Sequence, residues 1–444
     1  MLQISVIREK KDWVIERLAV KNFAAKDIVE KVLELDESRR KAQNELDTLL
    51  SQSNTMSKQI GDLMKSGKKA EAEDLRNKST ALKESAKGLN EQLSAFEKEL
   101  NDQLVKLPNL PSTKVPKGKG ADNNEVVYWE VGGRKMEDGS KSFALSDFQL
   151  PAPDFQLPSN AKPHWDLIVQ YDIIDFELGN KITGAGFPVY KGKGARLQRA
   201  LINYFLDKAA AAGYREMQPP ILVNEDSGFG TGQLPDKEGQ MYHATADNYY
   251  LIPTAEVPLT NIFRDVIVKA DEMPIKMCAY TPCFRREAGA WGKDVRGLNR
   301  LHQFDKVEIV QVQHPDKSYD TLEEMREYVA SLLRSLNLPF RILRLCGGDM
   351  SFTSALTYDF EVYSAAQQRW LEVSSVSNFE AFQANRMKLR FKGTDGKTQP
   401  AHTLNGSALA LPRIVAALLE NNQTEKGVIM PDSIRAYTGF DVIN

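Results

Sequence analysis

Arg285-Arg286-Glu287 and, after a glycine-containing loop, His302-Gln303-Phe304-Asp305-Lys306-Val307-Glu308 bring cations, an aromatic face and carboxylates together within residues 285–308. Phosphate favours arginine, whose planar fork gives two parallel charged hydrogen bonds. Apolar, strand-like runs flank the loop, Ile275-Lys276-Met277 before it and Val307-Glu308-Ile309-Val310 after it. That arrangement suits a nucleotide held over an antiparallel hairpin, with a cation for a phosphate, an aromatic face for a base and carboxylates for donors. An isolated Arg-x-Glu would serve equally well as the charged end of a surface hairpin, and an isolated Phe304 as core. Glu372-Val373-Ser374-Ser375 adds hard oxygen donors suited to Mg²⁺ bridging phosphate oxygens, or else forms an ordinary half-buried edge. The surrounding segments decide between these readings.

Those segments resemble a known family. Cys283-Phe284-Arg285-Arg286-Glu287-Ala288-Gly289, Arg296-Gly297-Leu298 and His302 to Glu308 resemble motif 2 of class II aminoacyl-tRNA synthetases in their seryl form. Gly213-Tyr214-Arg215-Glu216-Met217-Gln218-Pro219-Pro220-Ile221-Leu222-Val223 is similar to motif 1, a helix running into a strand with a proline. His402-Thr403-Leu404-Asn405-Gly406-Ser407-Ala408-Leu409-Ala410, continuing to Arg413, resembles motif 3, a strand followed by a helix that carries an arginine. Thr254-Ala255-Glu256 and Glu372 to Ser375 match further segments of the seryl enzymes, and Lys162-Pro163-His164-Trp165-Asp166-Leu167 matches their entry into the catalytic domain. The segments occur in the family's order and span nearly the whole chain.

The resemblance implies attack of an amino-acid carboxylate on the α-phosphate of ATP, release of pyrophosphate, and passage of the acyl group to a terminal hydroxyl of tRNA. Such chemistry needs no enzyme nucleophile and rests on positioning and charge stabilisation. Arg285 belongs on the α-phosphate and Arg413 on the tail of the triphosphate, although Arg413 could merely pair with an acid in its helix. Arg286, Glu287, Phe304 and Glu372 to Ser375 complete the ATP site, with Mg²⁺ on Glu372 and Ser375. Thr254, Ala255, Glu256, Glu308, Asn405 and Ser407 form the set for L-serine, and the division of amine and hydroxyl between the two glutamates stays open. Groups that wait for a hydroxyl reject its absence strongly, because they are otherwise left unpaired. His302 and His402 are read as structural hydrogen-bonders rather than bases.

The 444 residues allow two or three domains with a sizeable core, and 42% hydrophobic and 27% charged residues are ordinary for a globular protein. A formal net charge of -2 gives no global nucleic-acid signal, so any RNA contact must be locally basic. Cys278, Cys283 and Cys346 without a leader fit a reducing cytoplasm, and their spacing does not form a zinc set. The motifs resemble the common, zinc-free branch of the family. No apolar run approaches the ~20 residues that span a bilayer.

The elements that must carry these groups follow from periodicity. Residues 1–25 read as a short strand or turn and an amphipathic helix. Val32, Leu35, Arg39, Ala42, Leu46, Leu49, Ser53, Met56, Ile60 and Leu63 then alternate steps of three and four. A second register runs through Leu75, Ser79, Leu82, Ala86, Leu89, Leu93, Phe96 and Leu100. Ser66-Gly67-Lys68-Lys69 separates them, which predicts an antiparallel two-helix hairpin whose helices are on the order of 50 Å long. Arg39 and Ser53 should weaken the seam. Lys58, Lys65, Lys68 and Lys69 near the tip can meet a phosphate backbone or simply be solvated. A dimerisation coiled coil is the other reading; the resemblance makes the hairpin the arm that grips the long variable arm of tRNA(Ser).

The expected architecture is α+β. A helical tRNA-binding arm (1–104) and a linker (105–124) precede a class II catalytic domain (125–444) with a mixed, mainly antiparallel sheet flanked by helices. Gly184-Ala185-Gly186 reads as a turn, followed by a helix from about Gly194 to Ala212. The resemblance further implies a homodimer through motif 1, a cytoplasmic location and no separate anticodon-binding domain after Tyr437. It leaves open whether tRNA(Sec) is charged too. Two rivals are a synthetase-like ligase that loads a carrier protein and a non-catalytic regulatory paralogue. The first would lack the arm, and the second would lose Arg285, Glu308, Glu372 or Arg413.

Overall fold

The computed structural model describes residues 1–136, 142–144, 157–158, 160–236, 239–287 and 296–444, with the backbone alone at 143 and 144. Ala288 and Gly289 of the motif 2 resemblance lie outside the described residues. The chain forms two compact units, Met1–Ala19 with Phe23–Pro108 and Val20–Asn22 with Asn109–Asn444.

The first unit is helical: α1 (Ile4–Glu9), α2 (Lys11–Val20), α3 (Lys26–Lys65) and α4 (Lys69–Leu104). The strand or turn expected at the start is therefore a helix. Ile7, Val14 and Leu18 are all fully buried and recur at helical spacing, and burial of that face outweighs the strand propensity of the local Ile and Val residues. α3 and α4 form the expected hairpin. Gly67 closes α3 at φ +79, and the Lys68 amide donates back to the Leu63 carbonyl, the bond that ends a helix on a left-handed residue. Ala72, Ser79, Ala86, Leu93 and Leu100 are buried at every seventh position of α4. Ala42, Leu46, Ala86 and Leu93 form a core with Leu49, Leu89 and Phe96 packed on it. Ser53 is buried in the seam as a small residue, whereas Arg39 leaves it to pair with Asp36 at 3.0 Å.

In the second unit a ten-stranded sheet carries the site. Its strands are β1 (Glu125–Val131), β2 (Arg134–Lys135), β3 (Phe143–Ala144), β4 (Arg215–Glu216), β5 (Ile275–Phe284), β6 (Gln303–Gln313), β7 (Phe340–Arg344), β8 (Leu356–Ser364), β9 (Arg369–Asn378) and β10 (His402–Ala410). The order is β2-β1-β7-β8-β9-β10-β6-β5-β4, with β3 beside β1. Neighbours are antiparallel except for the β4–β5 pair, so the sheet is mixed and mainly antiparallel. Helices α5 (His164–Gln170), α6 (Gly192–Ala211), α7 (Glu256–Asn261), α8 (Ser318–Ser335) and α9 (Leu411–Asn421) accompany it. Leu197, Leu201 and Phe205 of α6, Leu322 and Val329 of α8 and Ile414 and Leu418 of α9 share one core with Val307 and Ile309 of β6. Residues 109–124, expected as linker, are fastened within this unit from their first residue: Asn109 Nδ2 donates to the Thr353 and Phe379 carbonyls at 2.8 Å each.

Candidate active site

Strand alternation builds the site. On β6, Val307 and Ile309 face the core, which sends Phe304, Lys306 and Glu308 to the opposite face. The β5–β6 register sets Cys283 opposite Phe304 and Ala279 opposite Glu308, and on the other side Ser407 of β10 faces Glu308. β9 approaches with an irregularity at its pairing with β8 between Phe360 and Glu361, which leaves Val373 unmatched. A bulge re-aims the side chains around it, and the consecutive Glu372, Val373 and Ser374 all line the resulting cleft. Ser374 Oγ donates to the Ser407 carbonyl at 2.6 Å, which ties β9 to β10 at this point.

The cleft offers about 280 Å³ of space. Arg285, Glu287, Phe304, Glu372, Val373, Ser374, Ser407 and Arg413 of the expected set line it. The Arg285 guanidinium lies 5.3 Å from the centroid of the Phe304 ring, and its Nε donates to the Pro253 carbonyl at 3.4 Å. Arg413 sits in the first turn of α9, whose start carries Pro412 where no amide donor is required. It does pair with an acid, but across to β9: Glu372 Oε2 at 3.4 Å, with a shorter bond of 2.5 Å to the Glu372 carbonyl. Its Nε donates to the Asn299 carbonyl at 3.1 Å. Glu287 is held by the Arg300 guanidinium.

Arg286 is not brought into this cleft. Its amide donates to the Gln240 carbonyl and its guanidinium lies 5.9 Å from the Tyr242 ring centroid. Ser375 likewise turns to Asp359, whose carboxyl burial and the nearby Glu372 charge push well above the ordinary range. His302 Nδ1 is 2.9 Å from the Tyr242 hydroxyl and His402 Nδ1 is 2.8 Å from Ser318 Oγ. Burial lowers His402 to about 4, so it is neutral at physiological pH.

Below the cleft lies a buried polar cluster. Glu308 is fully buried, and Thr254, Glu256 and Lys306 nearly so. Lys306 Nζ donates to Thr254 Oγ1 at 2.9 Å and lies 2.5 Å from Glu308 Oε2. Thr254 Oγ1 donates to the same Glu308 oxygen at 3.2 Å, and Asn405 Nδ2 reaches the other at 3.2 Å. The Glu256 amide donates to Thr254 Oγ1 at 3.2 Å, while Ala255, at the start of α7, is fully buried and supplies backbone only. Gln383 Nε2 donates to Glu256 Oε1 at 2.6 Å and is itself fixed by Thr403 Oγ1. Burial and the Glu308 charge raise Glu256 to about 7, and burial raises Glu308 too, against the pull of Lys306.

Sequence reasoning missed Lys306, Gln383, Asn299 and Arg300. Alternation along β6 could have found Lys306, which shares a face with Phe304 and Glu308. Gln383 carries no local signal, because only the fold brings it to Glu256. His164 lies in the matched segment Lys162–Leu167, whose residue types alone give it no role. Fully buried, it joins Glu420 through Nδ1 at 2.7 Å and accepts from the Leu298 amide through Nε2 at 2.9 Å. It thereby pins the turn Gly297–Asn299 that meets Arg413. Gly297 is required there: its φ is +65, and a Cβ would run into the His164 ring.

For Mg²⁺, the donor chemistry fits. Glu372 presents an exposed carboxylate at the cleft beside Arg413, and a magnesium ion takes one or two carboxylates while phosphates and water fill its other positions. The three cysteines are buried free thiols. Among the described residues no group of three or more His, Cys, Asp or Glu is placed to hold a metal, and no helix is long and apolar enough to cross a membrane.

Comparison with known proteins places this geometry. The seryl-tRNA synthetase N-terminal domain family matches residues 1–111, and the tRNA synthetase class II core domain (G, H, P, S and T) matches residues 241–422. The serine--tRNA ligase of Salinibacter ruber is 49% identical over 442 residues, covering 99% of this chain and 98% of its own. That of Methylacidiphilum infernorum is 44% identical over 442 residues, covering 98% and 99%. Among solved structures, seryl-tRNA synthetase from Pyrococcus horikoshii, complexed with ATP, superposes with a TM-score of 0.87 at 30% identity and 99% coverage of both chains. The cytoplasmic serine-tRNA ligase of Naegleria fowleri, in complex with AMP, gives 0.83 at 27% identity, covering 100% of this chain and 99% of its own. With relatives this similar over nearly the full length of both chains, the protein belongs to the seryl-tRNA synthetase family.

Proposed function

We propose that this protein activates L-serine with ATP to seryl-adenylate and transfers the seryl group to the 3′ end of tRNA(Ser). The observation that carries this is the join between two chemically distinct halves of one site. An open cleft bears Arg285, Phe304, Glu372 and Arg413. Beneath it a buried cluster of Thr254, Glu256, Lys306 and Glu308 supplies polar groups suited to a small, hydrogen-bonding ligand.

ATP lies in the cleft with adenine against Phe304 and its amine toward Glu287. Arg285 stands at the inner end, where the serine carboxylate oxygen bonds to the α-phosphorus as the bond to pyrophosphate breaks. Its guanidinium offsets the charge that builds on the phosphoryl oxygens. Arg413, on the rim and held by Glu372 and Asn299, neutralises the departing pyrophosphate. Glu372 would hold Mg²⁺ together with ATP, and the ion would supply Lewis-acid neutralisation of the phosphates; Ser375, bonded to Asp359, stands outside the cleft. Glu256 and Glu308 hold the serine ammonium and hydroxyl, with Thr254, Asn405 and Ser407 around them. Arg286 lies against Tyr242 outside the cleft and makes no contact with the ATP site in this arrangement.

The arm's tip cations Lys58, Lys65, Lys68 and Lys69 are exposed, with Lys68 paired to Glu71 at 3.2 Å, and they fit the backbone of the long variable arm of tRNA(Ser). The family reading extends to a homodimer, a cytoplasmic location, and an N-terminal arm followed by a catalytic domain. Charging of tRNA(Sec) is a further outcome for the same arm. The test is pyrophosphate exchange into ATP with each of the 20 amino acids. Serine alone should drive it. Exchange with another amino acid would reassign the pocket, and no exchange at all would favour the regulatory paralogue.

A further inference from the structure

Lys306 has been given no role of its own so far, yet it stands at the junction of the two halves of the site. It lines the cleft, is only 5% exposed, and spends its ammonium on two partners, Thr254 Oγ1 at 2.9 Å and Glu308 Oε2 at 2.5 Å. A lysine this buried is rare unless it is paired. Glu308, fully buried, would be left as an uncompensated charge without it, a situation that drives a carboxyl to hold its proton. The protonation state decides what Glu308 can recognise. An ionised carboxylate only accepts hydrogen bonds, so it selects a substrate that donates; a protonated one also donates and loses that selectivity.

Resting on the serine-activating reading, we propose that Lys306 is a positioning residue for substrate selection. Its ammonium holds Thr254 against Glu308, and Glu308 is the acceptor left to meet the substrate hydroxyl. The other charges around Glu308 are Glu256 from α7 and Arg285 from the end of β5, with the Cys283 thiol also facing the cluster. Glu256 opposes ionisation of Glu308 and Arg285 favours it. Arg285 rests on Phe304 and the Pro253 carbonyl rather than on Glu308, so Lys306 is the cation in direct contact. Asn405, the neutral donor on the other oxygen, cannot replace it.

The experiment is a double-mutant cycle read by serine-dependent pyrophosphate exchange on the full-length protein. Wild-type exchange with serine first establishes the reading on which the proposal rests; its absence removes that reading, whatever Lys306 does. Given that activity, Lys306→Met should raise KM for serine about 100-fold, the loss expected when one partner of a buried charge pair is removed. KM for ATP and the thermal midpoint should stay near wild type, and discrimination against alanine should shrink. In a Glu308→Gln background the same substitution should change KM for serine by less than about threefold, because its partner charge is already gone. Equal losses in both backgrounds, or parallel rises in both KM values, would overturn the proposal in favour of a packing role. If Lys306→Met does not fold, Lys306→Gln keeps the bond to Thr254 without the charge and is read by the same two outcomes.

Discussion

At the scale of single residues, the site divides by burial. Arg285 and Arg413 reach the cleft; if they act on phosphate as proposed, Arg285→Ala should lower serine-dependent pyrophosphate exchange by about 10³-fold, the upper range for losing a preorganised electrostatic donor. The thermal midpoint should hardly move, and near-normal exchange would remove Arg285 from the chemistry. Glu256 is different, because burial and then the Glu308 charge lift it to about 7. Its folded value lies above its unfolded one, so its contribution to stability is present at low pH and lost as pH rises through about 7. Ligand binding runs the other way: an ammonium group needs the ionised form, so KM for serine should fall as pH rises through about 7. Glu256→Gln should flatten that profile, and a flat wild-type profile would contradict the assignment. The sequence announced Arg285, Glu308 and Arg413 through motif context. It did not announce Gln383 or the bond from Lys306 to Thr254, since those contacts join segments far apart in the chain; the pairing of Lys306 with Glu308, two residues along β6, was open to an alternation argument.

At the scale of elements, each functional group depends on a neighbour that holds it. His164 and Glu420 pin the turn Gly297–Asn299, and Asn299 braces Arg413. Gly297→Ala should raise KM for ATP severalfold while leaving KM for serine unchanged, measured by exchange at saturating second substrate. Equal effects on both would mean that the turn supports the fold rather than the nucleotide end. In the arm, Leu93 packs with Ala42, Leu46 and Ala86. Leu93→Ala should cost about 2 kcal/mol or more, as expected for a buried large-to-small change, and should lower the helical melting temperature of the arm. The heptads of α3 and α4 were legible because a helical hairpin repeats one physical rule along its length. The start of the chain was not, because Ile and Val there favour a strand locally and only packing around Ile7 makes it helical.

At the scale of the whole molecule, the class II catalytic fold could be named from ordered motifs, while its strand order and the bulge that aims Glu372 and Ser374 could not. Those features arise from pairings between strands that are distant in sequence, such as β6 with β10. The two compact units predict separable functions. Deleting residues 32–100 should spare serine-dependent pyrophosphate exchange and abolish tRNA charging; equal loss of both would give the arm a structural role. The most direct test of the central claim is charging of a total tRNA pool with labelled serine, using the full-length protein, ATP and Mg²⁺. The account predicts label on serine isoacceptors. Failure to charge a pool that contains competent tRNA(Ser), or label spread over other isoacceptors, would contradict it.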